Sequence, residues 1–383
     1  NLAKIIYLKY SNLRQNMSPY IFIPLSTLIF LGINLYTYKR LKQNLILIKF
    51  KWSLRVIFGL IFLFEVAYFI SIKSSLLPSL IYQISIICIG VSFMLFCTIL
   101  PFHIALLFIN KLSKNSQKIA KFIIDICVIF GFFIYIIVGA YNANFNTIIT
   151  TKEIKIKNLK TPLNLAIITD VHIGQFYQKD FMASLVDRIN LLRPDALLIV
   201  GDLVDLKSDE LKDFLEPLKG VQSKFGTFMV VGNHEYYHGL SGLLDKFKEL
   251  GIKVLENENL NIGGVNLAGV YDITGFKMGE FVPDFVNVFN GINPNLPTIL
   301  LTHQPRSLKY LERDVDLVIC GHTHGGQIFP FSLLVWLNQK YVYGLYNINN
   351  NMQLYVSSGA GLWGPPFRVL TNSEIVYLKL RGE

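Results

Sequence analysis

The chain has 383 residues, 52% hydrophobic and only 16% charged, with a mean hydropathy of +0.43, whereas an ordinary water-exposed domain carries about 25% charged residues. That balance excludes a single globular domain in water and calls for segments that lie in lipid. The net charge of +10 is uneven: residues 1–150 hold 14 Lys/Arg against two acids, +12, and residues 151–383 hold 22 against 24, −2. The chain is therefore read as a multi-span transmembrane helical region, 1–150, followed by a second domain, 151–383.

Four stretches are apolar over the roughly 20 residues that a bilayer requires: Pro19 to Tyr36, Ser53 to Ile72, Leu76 to Asn110 and Ala120 to Tyr141. The third is too long for one straight span, and Pro101 is expected to kink or divide it. Lys39, Arg40, Lys42, Lys49 and Lys51 crowd the first loop and Lys111, Lys114 and Lys118 the third, while the second has Lys73. Counting positive charges puts these two rich loops in the cytoplasm, which makes the protein an integral, multi-pass inner-membrane protein with its second domain on the periplasmic side. Glu65 and Asp125 are acids within spans, and Asp125 lies at a depth where it could pair with His103. Such groups are either functional or polar contacts that hold helices together. Cys88, Cys97, Cys127 and Cys320 give no readable disulfide framework, and no cleavage site follows the first apolar run, which argues against a cleaved signal peptide.

After Tyr141 short apolar runs alternate with amphipathic segments. Leu163 to Thr169, Ala196 to Val200, Thr227 to Val231, Thr298 to Thr302 and Val315 to Cys320 read as buried strands; Phe181 to Leu192, Ser208 to Leu218 and Leu240 to Leu250 read as helices. The alternation predicts an α/β domain. Five strands end in metal-ligand residue types: Asp170 and His172, Asp202, Asn233 and His234, His303, then His322 and His324. Loops at the carboxyl ends of strands form the ligand crevice of an α/β sheet, so residues 150 apart in sequence can converge there. Carboxylate, amide and imidazole suit Mn, Fe, Zn or Ni, and so many ligands fit two ions sharing a carboxylate better than one. Gly201, Gly232 and Gly321 beside the ligands suit a backbone that turns sharply.

The ordered set DVH, GDLVD, GNHE, a lone His and GHTH resembles the calcineurin-like metallophosphoesterase superfamily, and GHTHGGQ with SSGAGLWGPP resembles its membrane-anchored or exported branch. The match covers about residues 160–383 and implies a β-sandwich flanked by helices. It also implies a dinuclear centre: Asp170, His172, Asp202 and His324 on one divalent ion, and Asp202 as bridge with Asn233, His303 and His322 on the other. His234 is implied as the acid histidine, beside attack by metal-activated hydroxide on a phosphoester or pyrophosphate. Asp205 and Glu235 are expected to orient ligand imidazoles unless they are surface acids. Tyr236, Tyr237 and His238 either line the substrate cleft or pack on one another. Tyr271 and Asp272 stand where the family pattern leads one to expect paired acids, which leaves that loop's role open.

Ile328 to Leu337 is either a segment that meets the membrane or an acyl chain, or a core element beneath the site. A domain at −2 without a Lys/Arg cluster is a poor partner for nucleic acid. The expected partners are the lipid bilayer and a phosphorylated, lipidic small molecule. Two alternatives stand: a cytoplasm-facing UDP-2,3-diacylglucosamine pyrophosphatase, and a non-catalytic membrane sensor with a phosphate-binding metal domain.

Overall fold

A computed structural model describes residues 19–71, 77–144 and 147–383, which fall into two compact units, one up to Ala140 together with Gly364–Pro366, the other Tyr141–Trp363 and Phe367–Glu383. The helices of the first unit are α1 (Pro19–Leu41), α2 (Lys51–Ser71), α3 (Ser79–Phe108) and α4 (Lys114–Asn144), the last of which runs on past Ala140 into the second unit. Three runs, Leu47–Ser71 and all of α3 and α4, are long and apolar enough to cross a membrane, while the 23-residue α1 begins at the edge of the described residues. α3 is not divided at Pro101: it continues for 30 residues, about 45 Å at 1.5 Å per residue. It is also the central helix, burying Ile86, Ile89, Met94, Leu95 and Ile99 together with Ser85 and Ser92.

Polar groups in this unit find partners across helices. Asn34 Nδ2 donates to Glu65 Oε2 at 2.6 Å and Ser92 Oγ donates to Asn34 Oδ1 at 3.3 Å, which ties α1, α2 and α3 together. The pairing of Asp125 with His103 is not formed. His103 Nδ1 meets the Tyr36 hydroxyl at 2.7 Å, and Asp125 Oδ2 accepts the Leu45 amide at 2.8 Å, because each has a nearer partner on α1 or the loop after it.

The second unit holds two six-stranded mixed sheets. The first runs β1 (Ile148–Ile156), β12 (Glu374–Gly382), β2 (Leu163–Ile168), β3 (Ala196–Val200), β4 (Thr227–Val230), β5 (Ile252–Val254). The second runs β10 (Gly344–Asn347), β11 (Gln353–Val356), β9 (Leu317–Cys320), β8 (Thr298–Leu301), β7 (Val265–Gly269), β6 (Glu258–Ile262). β1 starts ahead of the 150/151 division read from composition.

Strand alternation builds the layers. Leu165, Ile167, Leu198 and Val200 of the first sheet pack against Leu267, Ile299, Leu301 and Ile319 of the second. The intervening Ala166, Ile168, Leu197 and Ile199 face helices α5 (Lys179–Leu191) and α7 (Leu240–Glu249), through Met182, Leu185, Leu243 and Phe247. Strands buried on both faces read as unbroken apolar runs, which is why β2, β3, β8 and β9 are visible in the sequence. Two short helices, α6 (Asn233–Tyr237) and α8 (Gly275–Met278), sit in loops, and α9 (Phe331–Gln339) follows β9.

The helix expected over Ser208 to Leu218 is not one. Leu211, Leu215 and Leu218 are buried with helical spacing, but Lys212 is left-handed at φ +47° and only the 3-10 turn Glu216–Gly220 forms. β2, β3 and β4 are mutually parallel, as are β8, β9 and β11, so their carboxyl-end loops share an edge of each sheet.

Candidate metal centre

Asp170, His172, Asp202, His322 and His324 all sit at φ between +49° and +70°. Non-glycine residues seldom adopt this left-handed conformation, and they gather where surrounding structure forces a functional geometry. Here the forcing is backbone hydrogen bonding between successive strand-end loops. The Asp170 amide donates to Gly201 O at 3.0 Å, the His172 amide to Asp202 O at 3.1 Å, and the Gly321 amide to His303 O at 2.9 Å. Gly321 is required less for turning than for closeness, since a Cβ there would lie 2.0 Å from Thr169 Oγ1 and 2.4 Å from Asp170 Oδ2. The same holds at Gly232, whose Cβ would meet Asp202 Oδ1 at 2.2 Å; of the three glycines, Gly201 alone has positive φ, at +83°.

The side chains converge as two groups. Asp170, His172 and His324 offer donor atoms within 4.8 Å of one another, and so do Asp202, His303 and His322. Asp202 Oδ2 lies 3.1 Å from His303 Nε2 and 3.9 Å from His172 Nε2, which places this carboxylate between the groups. His303 Nδ1 donates to Val200 O at 2.8 Å, so the lone pair of the neutral ring is on Nε2, facing Asp202.

The donor set fits divalent cations. His303 Nε2, His324 Nδ1 and Asn233 Oδ1 are buried without a hydrogen-bond partner, whereas buried polar atoms are ordinarily paired. His172 Nε2 and His324 Nε2 face each other at 3.1 Å, with His324 Nε2 3.4 Å from Asp170 Oδ1. Against the effect of burial, Asp202 and Asp170 lift the His303 imidazole well above its usual range. The negative field that draws a proton there equally favours a divalent cation, which would displace it.

His234 stands beside these groups. Its amide donates to Asp202 Oδ1 at 2.9 Å and its Nδ1 meets Asp205 Oδ1 at 2.6 Å. Burial lowers its pKa, but Asp202 and Asp205 outweigh that and raise it to about 9. Asp205 Oδ1 also meets His172 Nδ1 at 2.8 Å, so one carboxylate oxygen orients two imidazoles. Burial pushes the Asp205 carboxyl up, yet His172 and His234 hold it well below the usual range.

Glu235 is a different case from Asp205: it orients backbone rather than imidazoles. Fully buried at the start of α6, it accepts the amides of Gly232, Asp202, Leu203 and Val204 at 2.7, 3.0, 2.7 and 3.2 Å and so shapes the Asp202 loop. Tyr236 does not line the site, because its hydroxyl donates to Phe281 O at 2.6 Å inside the core. Tyr237 is exposed with its ring 5.6 Å from that of His234, and His238 is 6.3 Å from it.

Two arginines escaped the sequence reading. Asp272 is buried and accepts Gln304 Nε2 at 2.8 Å; Gln304 Oε1 accepts Arg306 Nε at 2.9 Å. Burial lowers the Arg306 guanidinium from its usual range, while its charge reaches Tyr237 and His322. Its position three residues past His303 in LTHQPR was the available signal. Arg368, fully buried, donates to His324 O at 3.0 Å, Ser358 O at 2.7 Å and Gly361 O at 2.8 Å, fastening the GHTH loop; nothing in its local sequence marks it.

Residues 163–326 match the family model of the calcineurin-like phosphoesterases. The chain is 38% identical over 362 residues to an uncharacterized metallophosphoesterase of Campylobacter jejuni, covering 93% of this chain and 97% of that protein. One from Helicobacter pylori is 41% identical over 310 residues, covering 80% and 84%. A transmembrane protein with metallophosphoesterase domain from Bos taurus is 34% identical over 270 residues, covering 64% of this chain and 60% of that one.

Proposed function

The chain belongs to the calcineurin-like metallophosphoesterase family, and from that premise we propose that it hydrolyses a phosphoester or pyrophosphate bond on an envelope lipid or lipid-linked substrate, with its domain on the outer side of the inner membrane. The observation that carries the lipid assignment is α9, which follows the GHTH loop directly. Leu333, Leu334, Trp336 and Leu337 are 56–72% exposed, and of the helix only Gln339 is buried. That exposure weighs against the core alternative for this run, and an exposed Leu/Trp face beside the ligand loop suits an acyl chain or the bilayer interface. Three residues of chain join α4 to β1, a short tether that favours a substrate in the membrane.

Two divalent cations, held by Asp170, His172 and His324 and by Asn233, His303 and His322 with Asp202 between, would supply an acidified water and neutralise phosphoryl oxygens. His234 presents the proton on Nε2 to the leaving oxygen, held in place by Asp205 at Nδ1. Arg306, steadied by Gln304, supplies a guanidinium for a non-reacting phosphate oxygen. With a domain charge of −2, nucleic acid is not proposed as a partner.

The test is a lipid extract from a deletion strain together with a reporter at the carboxyl end. A phosphorylated lipid should accumulate, and the reporter should work only outside the cytoplasm. A cytoplasmic reporter would replace this reading with the UDP-2,3-diacylglucosamine pyrophosphatase, and full-length protein that turns over no phosphoester would leave the sensor.

A further inference from the structure

Within the helical unit a cavity of about 560 Å³ opens between α1, α3 and α4 at the ends that carry the lysines. Its walls differ in chemistry. Leu41, Ile99, Phe102 and Val128 make an apolar side, and Arg40 from α1 faces Lys114, Lys118 and Lys121 from α4. The three lysines stand at i, i+4 and i+7, one face of a helix, where like charges repel unless an anion joins them. Asp125 is the sole acid of the lining, and its Oδ2 is engaged by the Leu45 amide. Arg40 Nε is buried without a hydrogen-bond partner, and the guanidinium lies over the Tyr36 ring at 5.6 Å. Positive-inside topology accounts for basic residues at these helix ends, but it does not require them to line one cavity with an apolar floor.

We propose that this cavity binds the phosphate headgroup of an anionic membrane lipid, with Arg40, Lys114, Lys118 and Lys121 around the phosphate and the first acyl methylenes against Leu41, Ile99 and Phe102. A basic pocket between membrane helices, of a size that holds a small ligand, is the recognised form of such a site. The apolar wall selects a lipid over free phosphate. The inference concerns a site separate from the metal centre and holds whether or not the second unit is an enzyme.

The experiment is native mass spectrometry of the full chain released from detergent, titrated separately with phosphatidylglycerol, phosphatidylcholine and inorganic phosphate. Phosphatidylglycerol should bind in preference to phosphatidylcholine. The variant Lys114→Gln/Lys118→Gln/Lys121→Gln should bind it about a hundredfold more weakly, at about fivefold per cation. Lys39→Gln/Lys42→Gln/Lys49→Gln, which removes equal charge from positions outside the lining, should bind as the parent does. If the triple variant fails to fold, Arg40→Gln alone should still lower the affinity about fivefold. Equal binding of the two lipids, unchanged binding in the lining variants, or inorganic phosphate displacing the lipid at millimolar concentration would each overturn the proposal.

Discussion

Glu235 and Glu65 are both glutamates without exposed surface, one in each unit, and their surroundings differ in kind. Glu235 accepts four backbone amides. Glu65 has the Asn34 carboxamide on one oxygen, and its Oε1 is without a partner. The reason is architectural: helices in lipid consume their own backbone donors, so Glu65 in mid-helix relies on a side chain from a neighbouring helix, whereas Asp125 reaches the Leu45 amide in the loop after α1. Strand-end loops leave amides free, and the second unit directs them at its carboxylates. Asp170, taking the His322 amide at 2.9 and 3.0 Å, follows the same rule. Glu235 is thus locked by backbone, and Glu65 is held by a side chain of a neighbouring helix.

That contrast predicts a graded series of losses. Asp202→Ala removes the carboxylate shared by both ligand groups, and hydrolysis of an aryl phosphate ester should fall about a thousandfold or more, with metal content per chain falling in parallel. Asp205→Asn keeps the shape but weakens the acceptor for His172 and His234, and should cost about 10- to 100-fold in rate while leaving thermal stability nearly unchanged. Glu235→Gln leaves an amide where four N–H donors converge, and should destabilise the domain by about 1–3 kcal/mol, read as a lower denaturation midpoint. Glu65→Gln keeps a partner for Asn34 and should change stability by less than about 1 kcal/mol, with hydrolysis unaltered. If Glu65→Gln damaged the protein as much as Glu235→Gln, the contrast between backbone-locked and side-chain-held acids would be wrong.

The same physics explains what the sequence displayed. The convergence of Asp170, His172 and His324 and of Asp202, His303 and His322 was legible because strand ends fix where a loop residue goes, and parallel buried strands announce themselves as apolar runs. β1, β5, β10, β11 and β12 went unseen: β1 mixes Lys and Glu with Ile, and β5 is three residues long. β6 and β7, a hairpin about Gly263 and Gly264, carry polar Asn259, Asn261 and Asn266 inside the strands and hid their period. Arg306 and Arg368 sit on loops whose return towards the site is a tertiary fact. In the helical unit composition identified the spans, but an unbroken apolar texture does not say which face meets which. The possible pairing of Asp125 with His103 is therefore not formed, and of the two readings of Pro101, kink or division, the division is excluded because α3 runs on through it.

The central claim is that Asp170, His172, Asp202, Asn233, His303, His322 and His324 form a divalent-metal centre that drives phosphoester hydrolysis. Its most direct test is the hydrolysis rate of bis(p-nitrophenyl) phosphate by the purified full chain, measured before chelation, after EDTA, and after Mn, Fe, Zn or Ni is returned. The account predicts a rate that disappears with EDTA and comes back with at least one of these ions in the parent but not in Asp202→Ala. A rate indifferent to EDTA, or an Asp202→Ala variant as active as the parent, would contradict it.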